Sequence, residues 1–197
     1  MGYDSIVLAS ASARRSQLLH QIGVRHRVVA ADIDESPNPG ERPADYVQRL
    51  AQDKAQAVVT LLHGRPDRPV LAADTTVVQD SRIFGKPADE AACVAMLGAL
   101  AGRTHEVLTA MALWDGGQLR RVLSTSYVSF REIDVDECRR YWASGEPAGK
   151  AGAYAIQGRG AVFVSRLEGS FSGVMGLPLF ETAALLDAAG VRRWEAP

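Results

Sequence analysis

Six short runs of the chain hold residue types that could do chemistry together. Ser10-x-Ser12-x-Arg14-Arg15 puts two hydroxyls and two guanidiniums just ahead of a helix-like stretch. Free N–H groups and the positive end of a helix dipole favour an anion there, and arginine offers forked donors to phosphate oxygens. Asp74-Thr75 lies inside the apolar run Val70 to Val78. A carboxylate in such a run is costly unless it is paired, binds a metal, or sits where the strand opens onto a site. Asp34-Glu35 stands in a proline-bounded loop after Val28-Val29. Neighbouring acids suit a hard divalent cation such as Mg²⁺, which takes oxygen ligands and keeps several waters. Gly85-Lys86-Pro87 pins a lysine on a tight turn, which orients it. Lys54 keeps the apolar phase of its helical stretch, so its ammonium either enters a cleft or snorkels to solvent. In Lys150 to Gly158, small residues allow close backbone approach to a ligand, Tyr154 offers a ring face, and Gln157 offers an amide able to read a base edge.

Each run alone also has a plain structural explanation: a serine cap with solvated arginines, a buried aspartate on backbone donors, loop acids, a turn lysine, a glycine-rich connector. Several other motifs are absent. Lys86 is followed by Pro87 rather than Ser or Thr, so no Walker phosphate loop is present. His105-Glu106 starts like a zinc-protease motif but position 109 is Thr. The four histidines and two cysteines lack zinc-ligand spacing.

These residues must be held by a fold, and the pattern predicts one. Ile6 to Leu8, Val28-Val29, Val107 to Trp114, Leu119 to Phe130 and Val162 to Val164 read as strands. Val70 to Val78 reads as a strand interrupted at Asp74-Thr75. Arg14 to Ile22, Pro43 to Leu62, Glu90 to Ala101, a segment capped by Asp134-x-x-Glu137, and Leu179 to Ala189 read as helices. The alternation followed by a long hairpin across Asp115-Gly116-Gly117 predicts an α/β fold with a mixed sheet.

The balance of 22 basic and 23 acidic residues, with 47% hydrophobic, excludes a disordered chain and argues against a duplex-DNA binder driven by bulk charge. Only Lys54, Lys86 and Lys150 are lysines, so surface charge comes from arginine, which singles those three out. No apolar run approaches the roughly 20 residues that cross a bilayer. The start, MGYDSIVLAS, lacks the basic and long apolar regions of a secretory signal. The expectation is one cytoplasmic domain over residues 1–197, with no membrane or nucleic-acid partner and two buried thiols.

Taken in order, LASASARRSQLLHQIG, DIDES, YVQRLAQDKA, VLAADTTVV, FGKP, LAGRTHEVLTA, GEPAGKAGAYAIQG and GLPL resemble the Maf-family nucleoside triphosphate pyrophosphatases across nearly the whole chain. The resemblance implies a Maf/ITPase-like mixed sheet with two lobes around a central cleft, and a homodimer. It implies hydrolysis of a nucleoside triphosphate between the α and β phosphates with Mg²⁺, Mn²⁺ or Co²⁺. Asp74 matches the family's general base. Glu35, Lys54 and Lys86 match its other catalytic positions, and Glu35 with Asp74 would hold the metal. Ser10 and Arg14 match substrate-binding positions; Ser12, Arg15 and Lys150 are expected to assist. Thr75 and Gln157, with Arg14 as the third selecting position, match the subgroup that prefers dTTP and UTP. A 7-methyl-GTP pyrophosphatase of the same family, or a cell-division regulator acting through a partner, are the rival expectations. Ala13 and Ala101 stand where the family usually has proline and serine, and Gly173 where a polar residue is common.

Overall fold

A computed structural model describes residues 2–30, 32–64 and 66–194. The strands are β1 (Ile6–Leu8), β2 (His26–Val28), β3 (Val70–Gln79), β4 (Arg82–Phe84), β5 (Thr104–Asp115), β6 (Gln118–Phe130) and β7 (Val164–Glu168). The helices are α1 (Ala13–Gln21), α2 (Pro43–Leu61), α3 (Glu90–Leu100), α4 (Val135–Ala143), α5 (Phe171–Met175) and α6 (Leu179–Ala188). The strands form one mixed sheet in the order β2-β1-β3-β5-β6-β7, with β4 paired to β3. β1 runs parallel to β2 and β3, and the remaining pairs are antiparallel. Among the described residues no helix is long and apolar enough to cross a membrane.

The elements lie close to their expected places, with a few differences: β2, expected at Val28-Val29, is His26–Val28. β3 is not interrupted: Asp74 and Thr75 stay in the ladder opposite Ala110 and Thr109. Val162 and Phe163 belong to a 3₁₀ turn, so the last strand starts at Val164. β4 and α5, at three and five residues, are too short to carry a periodic signal. In α4, Asp134 caps the Glu137 amide as expected, but the Glu137 carboxylate bonds Arg131 rather than closing the capping box.

The continuity of β3 explains how a carboxylate survives inside it. One edge of β3 is paired to β5 from Val70 to Val78. The other edge meets β1 only at Val70 and Leu71, and β4 only from Val77 to Gln79. Between them, residues 72–76 have no strand on that edge among the described residues. The sheet splits there.

Three apolar clusters surround the split. One packs α2 residues Val47, Ala51, Ala55 and Val58 on Val70, Ala72 and Val78. A second, on the other face, joins Leu18, Leu19 and Leu186 to Ile6, Leu8, Leu71 and Met111. The third gathers Val77, Phe84, Leu97, Leu100, Val107 and Phe130 beneath α3 and α4. The first two form one lobe and the third the other.

Candidate active site

Side chains alternate along a strand. Asp74 therefore shares the α2 face with Val70, Ala72 and Val78, and Thr75 points to the opposite face with Leu71 and Ala73. Each face carries its own polar network.

On the α2 face, Pro43 starts the helix and a buried stripe of Val47, Leu50, Ala51, Ala55 and Val58 turns it to the sheet. Lys54 falls on that stripe. Its Nζ lies 2.7 Å from Asp74 Oδ1 and 2.6 Å from Glu35 Oε1, so one ammonium bridges two carboxylates. The Lys54 and Asp74 side chains are only 12% and 11% exposed, a shelter in which an unpaired charge would not persist. Lys86 stands 3.6 Å from Glu35 Oε2 and is largely exposed. Burial alone would raise the Glu35 carboxyl, but the hydrogen bonds and charges of Lys54 and Lys86 hold it below the usual glutamate value. Tyr46 donates its hydroxyl to the Glu35 carbonyl at 3.0 Å, which fastens the loop to α2. Burial and the charges of Asp74 and Glu35 push the Tyr46 hydroxyl up to about 12, so it remains a donor.

The opposite face is organised by Arg15. Its guanidinium donates to the Gly176 carbonyl at 2.8 Å, to Ser10 Oγ at 3.0 Å and to Thr75 Oγ1 at 3.2 Å. Burial lowers its pKa, with Asp74 opposing and Arg14 reinforcing that shift, yet an arginine stays charged. Arg14 donates to the Met175 carbonyl at 3.3 Å. Ser10 Oγ also accepts from the Ser12 amide at 3.2 Å. Ser12 occupies the N-cap of α1 but makes no capping hydrogen bond, and no acid stands in the first turn. The start of α1 thus keeps amides, a hydroxyl and positive charge together.

The segment from Lys150 to Gln157 closes the far wall. Gly152 sits at φ +66 and donates its amide to the Gly85 carbonyl at 3.1 Å, tying this segment to the turn that carries Lys86. A Cβ at Gly152 would lie 2.9 Å from the Val77 side chain, so glycine is required for the approach. Burial, then the charge of Arg14, lowers the Lys150 pKa. Tyr154 is buried, its hydroxyl 2.9 Å from His105 Nε2, and its ring packs edgewise on Phe130.

These parts enclose a cavity of about 690 Å³. Asp74, Lys54, Lys86, Glu35, Ser10, Ser12, Arg14, Arg15, Thr75, Gln157 and Lys150 all line it. Asp34 does not: its carboxylate accepts from the Ser36 amide at 2.8 Å in a local turn, so the two adjacent acids do not act together. Sequence reasoning missed Tyr46, the Met175 and Gly176 carbonyls, and Thr109, which bonds Thr75 from the neighbouring strand. A lone threonine inside the apolar run of β5 was the available signal for Thr109.

Among the described residues no group of three or more His, Cys, Asp or Glu could cage an ion. Glu35 and Asp74, drawn together by Lys54, supply two carboxylates on one cavity wall, a donor set that fits an ion taking its remaining oxygens from phosphates and water.

The split mixed sheet and its cation-rich cavity define an α/β protein built to hold a polyanion where two carboxylates meet it. The chain belongs to the Maf family: the family described as Maf-like protein matches residues 5–189. A dTTP/UTP pyrophosphatase of Bordetella parapertussis is 53% identical over 192 residues, covering 94% of this chain and 93% of the relative. Another dTTP/UTP pyrophosphatase, from Nitrosomonas europaea, is 53% identical over 198 residues, covering 95% and 96%. Among solved structures, the Staphylococcus aureus Ham1 protein aligns over 64% of this chain and 71% of its own, at 13% identity and a TM-score of 0.39. That likeness is too distant to bear on the site.

Proposed function

We propose that this protein hydrolyses dTTP and UTP between the α and β phosphates, giving the nucleoside monophosphate and pyrophosphate. The observation that carries the reading is the Glu35–Lys54–Asp74 network on one wall of a cavity whose other walls supply Arg14, Arg15, Lys86 and Lys150. The relatives named dTTP/UTP pyrophosphatase, matched over more than nine-tenths of the chain, support the substrate.

In this reading Asp74 is the general base. Its Oδ1 is engaged by Lys54, which orients the carboxylate. Asp74 takes a proton from water, the water oxygen bonds to the α phosphorus, and the bond from that phosphorus to the bridging oxygen breaks. Pyrophosphate leaves with the electron pair. Ser10, Ser12, Arg14 and Arg15 receive phosphate oxygens at the start of α1, where amides and the helix dipole assist. Lys54, Lys86 and Lys150 offset charge on the leaving pyrophosphate. Each such preorganised group is worth about 10²–10³ in rate. Glu35 and Asp74 would hold a divalent cation, Mg²⁺ or in its place Mn²⁺ or Co²⁺, which when bound neutralises phosphate charge. Thr75, Gln157 and Arg14 select the pyrimidine. The enzyme is a cytoplasmic homodimer, each chain one domain over residues 1–197.

The test is a nucleotide panel with Mg²⁺, Mn²⁺ or Co²⁺, assayed for pyrophosphate against orthophosphate. The expected result is pyrophosphate, with dTTP and UTP turned over fastest. Orthophosphate as the product, or no turnover of any nucleotide, would overturn the reading.

A further inference from the structure

Thr109 is 1% exposed and stands directly across the β3–β5 ladder from Thr75. It does not reach the cavity, yet it makes two hydrogen bonds that together fix the polarity of a residue that does. Thr109 Oγ1 donates to the Gly173 carbonyl at 2.8 Å. A carbonyl cannot donate, so the single hydroxyl proton of Thr109 is spent there. The 3.0 Å contact between Thr75 Oγ1 and Thr109 Oγ1 therefore has one direction only: Thr75 donates and Thr109 accepts. Thr75 Oγ1 in turn accepts from Arg15 at 3.2 Å. The chain of bonds runs from the Arg15 guanidinium through Thr75 and Thr109 to the Gly173 carbonyl.

The consequence concerns what Thr75 can offer a ligand. Its proton is committed inward and one lone pair is held by Arg15. What remains at the cavity wall is one lone pair, an acceptor. A freely rotating hydroxyl would serve equally as donor or acceptor and would discriminate little. An acceptor-only oxygen rejects another acceptor, because the two would face each other unpaired.

We infer that Thr109 is a specificity-positioning residue: it sets Thr75 as an obligate acceptor, which selects bases that present an N–H donor at ring position 3. This rests on the pyrimidine reading above. Uracil and thymine have one ring donor left once N1 carries the sugar, the N3–H, whereas N3 of cytosine is an acceptor. The same network that anchors α5 to β5 thereby separates UTP from CTP. Gly173 enters through its backbone carbonyl, which a side chain at that position would not replace.

The experiment measures kcat/KM for UTP and for CTP in the parent, Thr109→Val and Thr109→Ser. Valine keeps the shape and removes the acceptor, freeing the Thr75 proton to turn toward the cavity. The UTP/CTP ratio is expected to fall by about tenfold or more in Thr109→Val, with CTP losing less than UTP or gaining. Thr109→Ser restores the hydroxyl and is expected to keep the parent ratio. Should the valine variant not fold, Thr109→Cys, whose sulfur is a weak acceptor, carries the same expectation. Equal losses for both nucleotides, or a serine variant as unselective as the valine one, would overturn the inference while leaving the pyrophosphatase reading intact. A parent that does not prefer UTP to CTP would instead overturn the pyrimidine reading, and the inference with it.

Discussion

Asp74 and Thr75 are sequence neighbours, but the two sides of β3 they occupy are built on different physics. The Asp74 side is ionic. One ammonium serves two carboxylates, and a second cation, Lys86, stands further off on an exposed turn. Coulombic contacts tolerate small changes of distance, so such a side can give up partners and accept phosphates without being rebuilt. The Thr75 side has one guanidinium, Arg15, and no carboxylate partner for it in the bond chain: Arg15 is bonded through hydroxyls and backbone carbonyls, in one direction, anchored to β5 and α5. Hydrogen bonds there depend on angle and donor polarity. In the proposed function this difference assigns rate to the first side and choice of base to the second.

Substitutions should separate the two. Asp74→Asn keeps the shape and removes the base; kcat is expected to fall by about 10³, with UTP and dTTP equally affected. A loss of only a few-fold would break the comparison at its ionic side. Lys54→Met should lower kcat by about 10²–10³ and leave two carboxylates facing each other without their shared cation. Because Lys54 helps hold Glu35 below the ordinary value of 4.5, its removal should move the acid limb of the pH–rate profile upward. In the parent the Glu35 pair contributes stability that is fully present above pH 4.5 and fades as pH falls through the lowered value; acid titration of melting temperature reads this directly.

On the other side, Thr75→Gln or Gln157→Ala should change the ratio of dTTP and UTP to other nucleotides by about tenfold, with little change in melting temperature. Relative rates that do not move across a nucleotide panel would remove the selective role. The smallest expected effect tests neither side but the helix start between them. Ala13 is the first residue of α1 and follows Ser12 in extended conformation, so Ala13→Pro should stabilise by about 0.4–1 kcal/mol and raise the melting temperature by a few degrees.

How much of this the sequence carried depends on the kind of signal. Helix α2 was legible to within one residue because Pro43 and a long apolar stripe mark it. The same stripe marked Lys54 as a cation out of place, and Asp74 announced itself as a charge in an apolar strand. Glu35 and Lys86 carried only loop chemistry, and it was the ordered set of motifs that joined them to Asp74. The split in the sheet was not legible. It arises because β1 and β4 share one edge of β3 and leave residues 72–76 between them, a tertiary fact with no local trace. The Thr75 network was hidden for a related reason: its partners are backbone carbonyls of α5 and a buried threonine far along the chain.

The central claim, that Asp74 readies a water for attack at the α phosphorus, is tested most directly by single-turnover hydrolysis of UTP in ¹⁸O-labelled water with the parent and Asp74→Asn. Label is expected in UMP and not in pyrophosphate, at a rate about 10³ slower in the variant. Label in pyrophosphate, or a variant that labels UMP as fast as the parent, would contradict it.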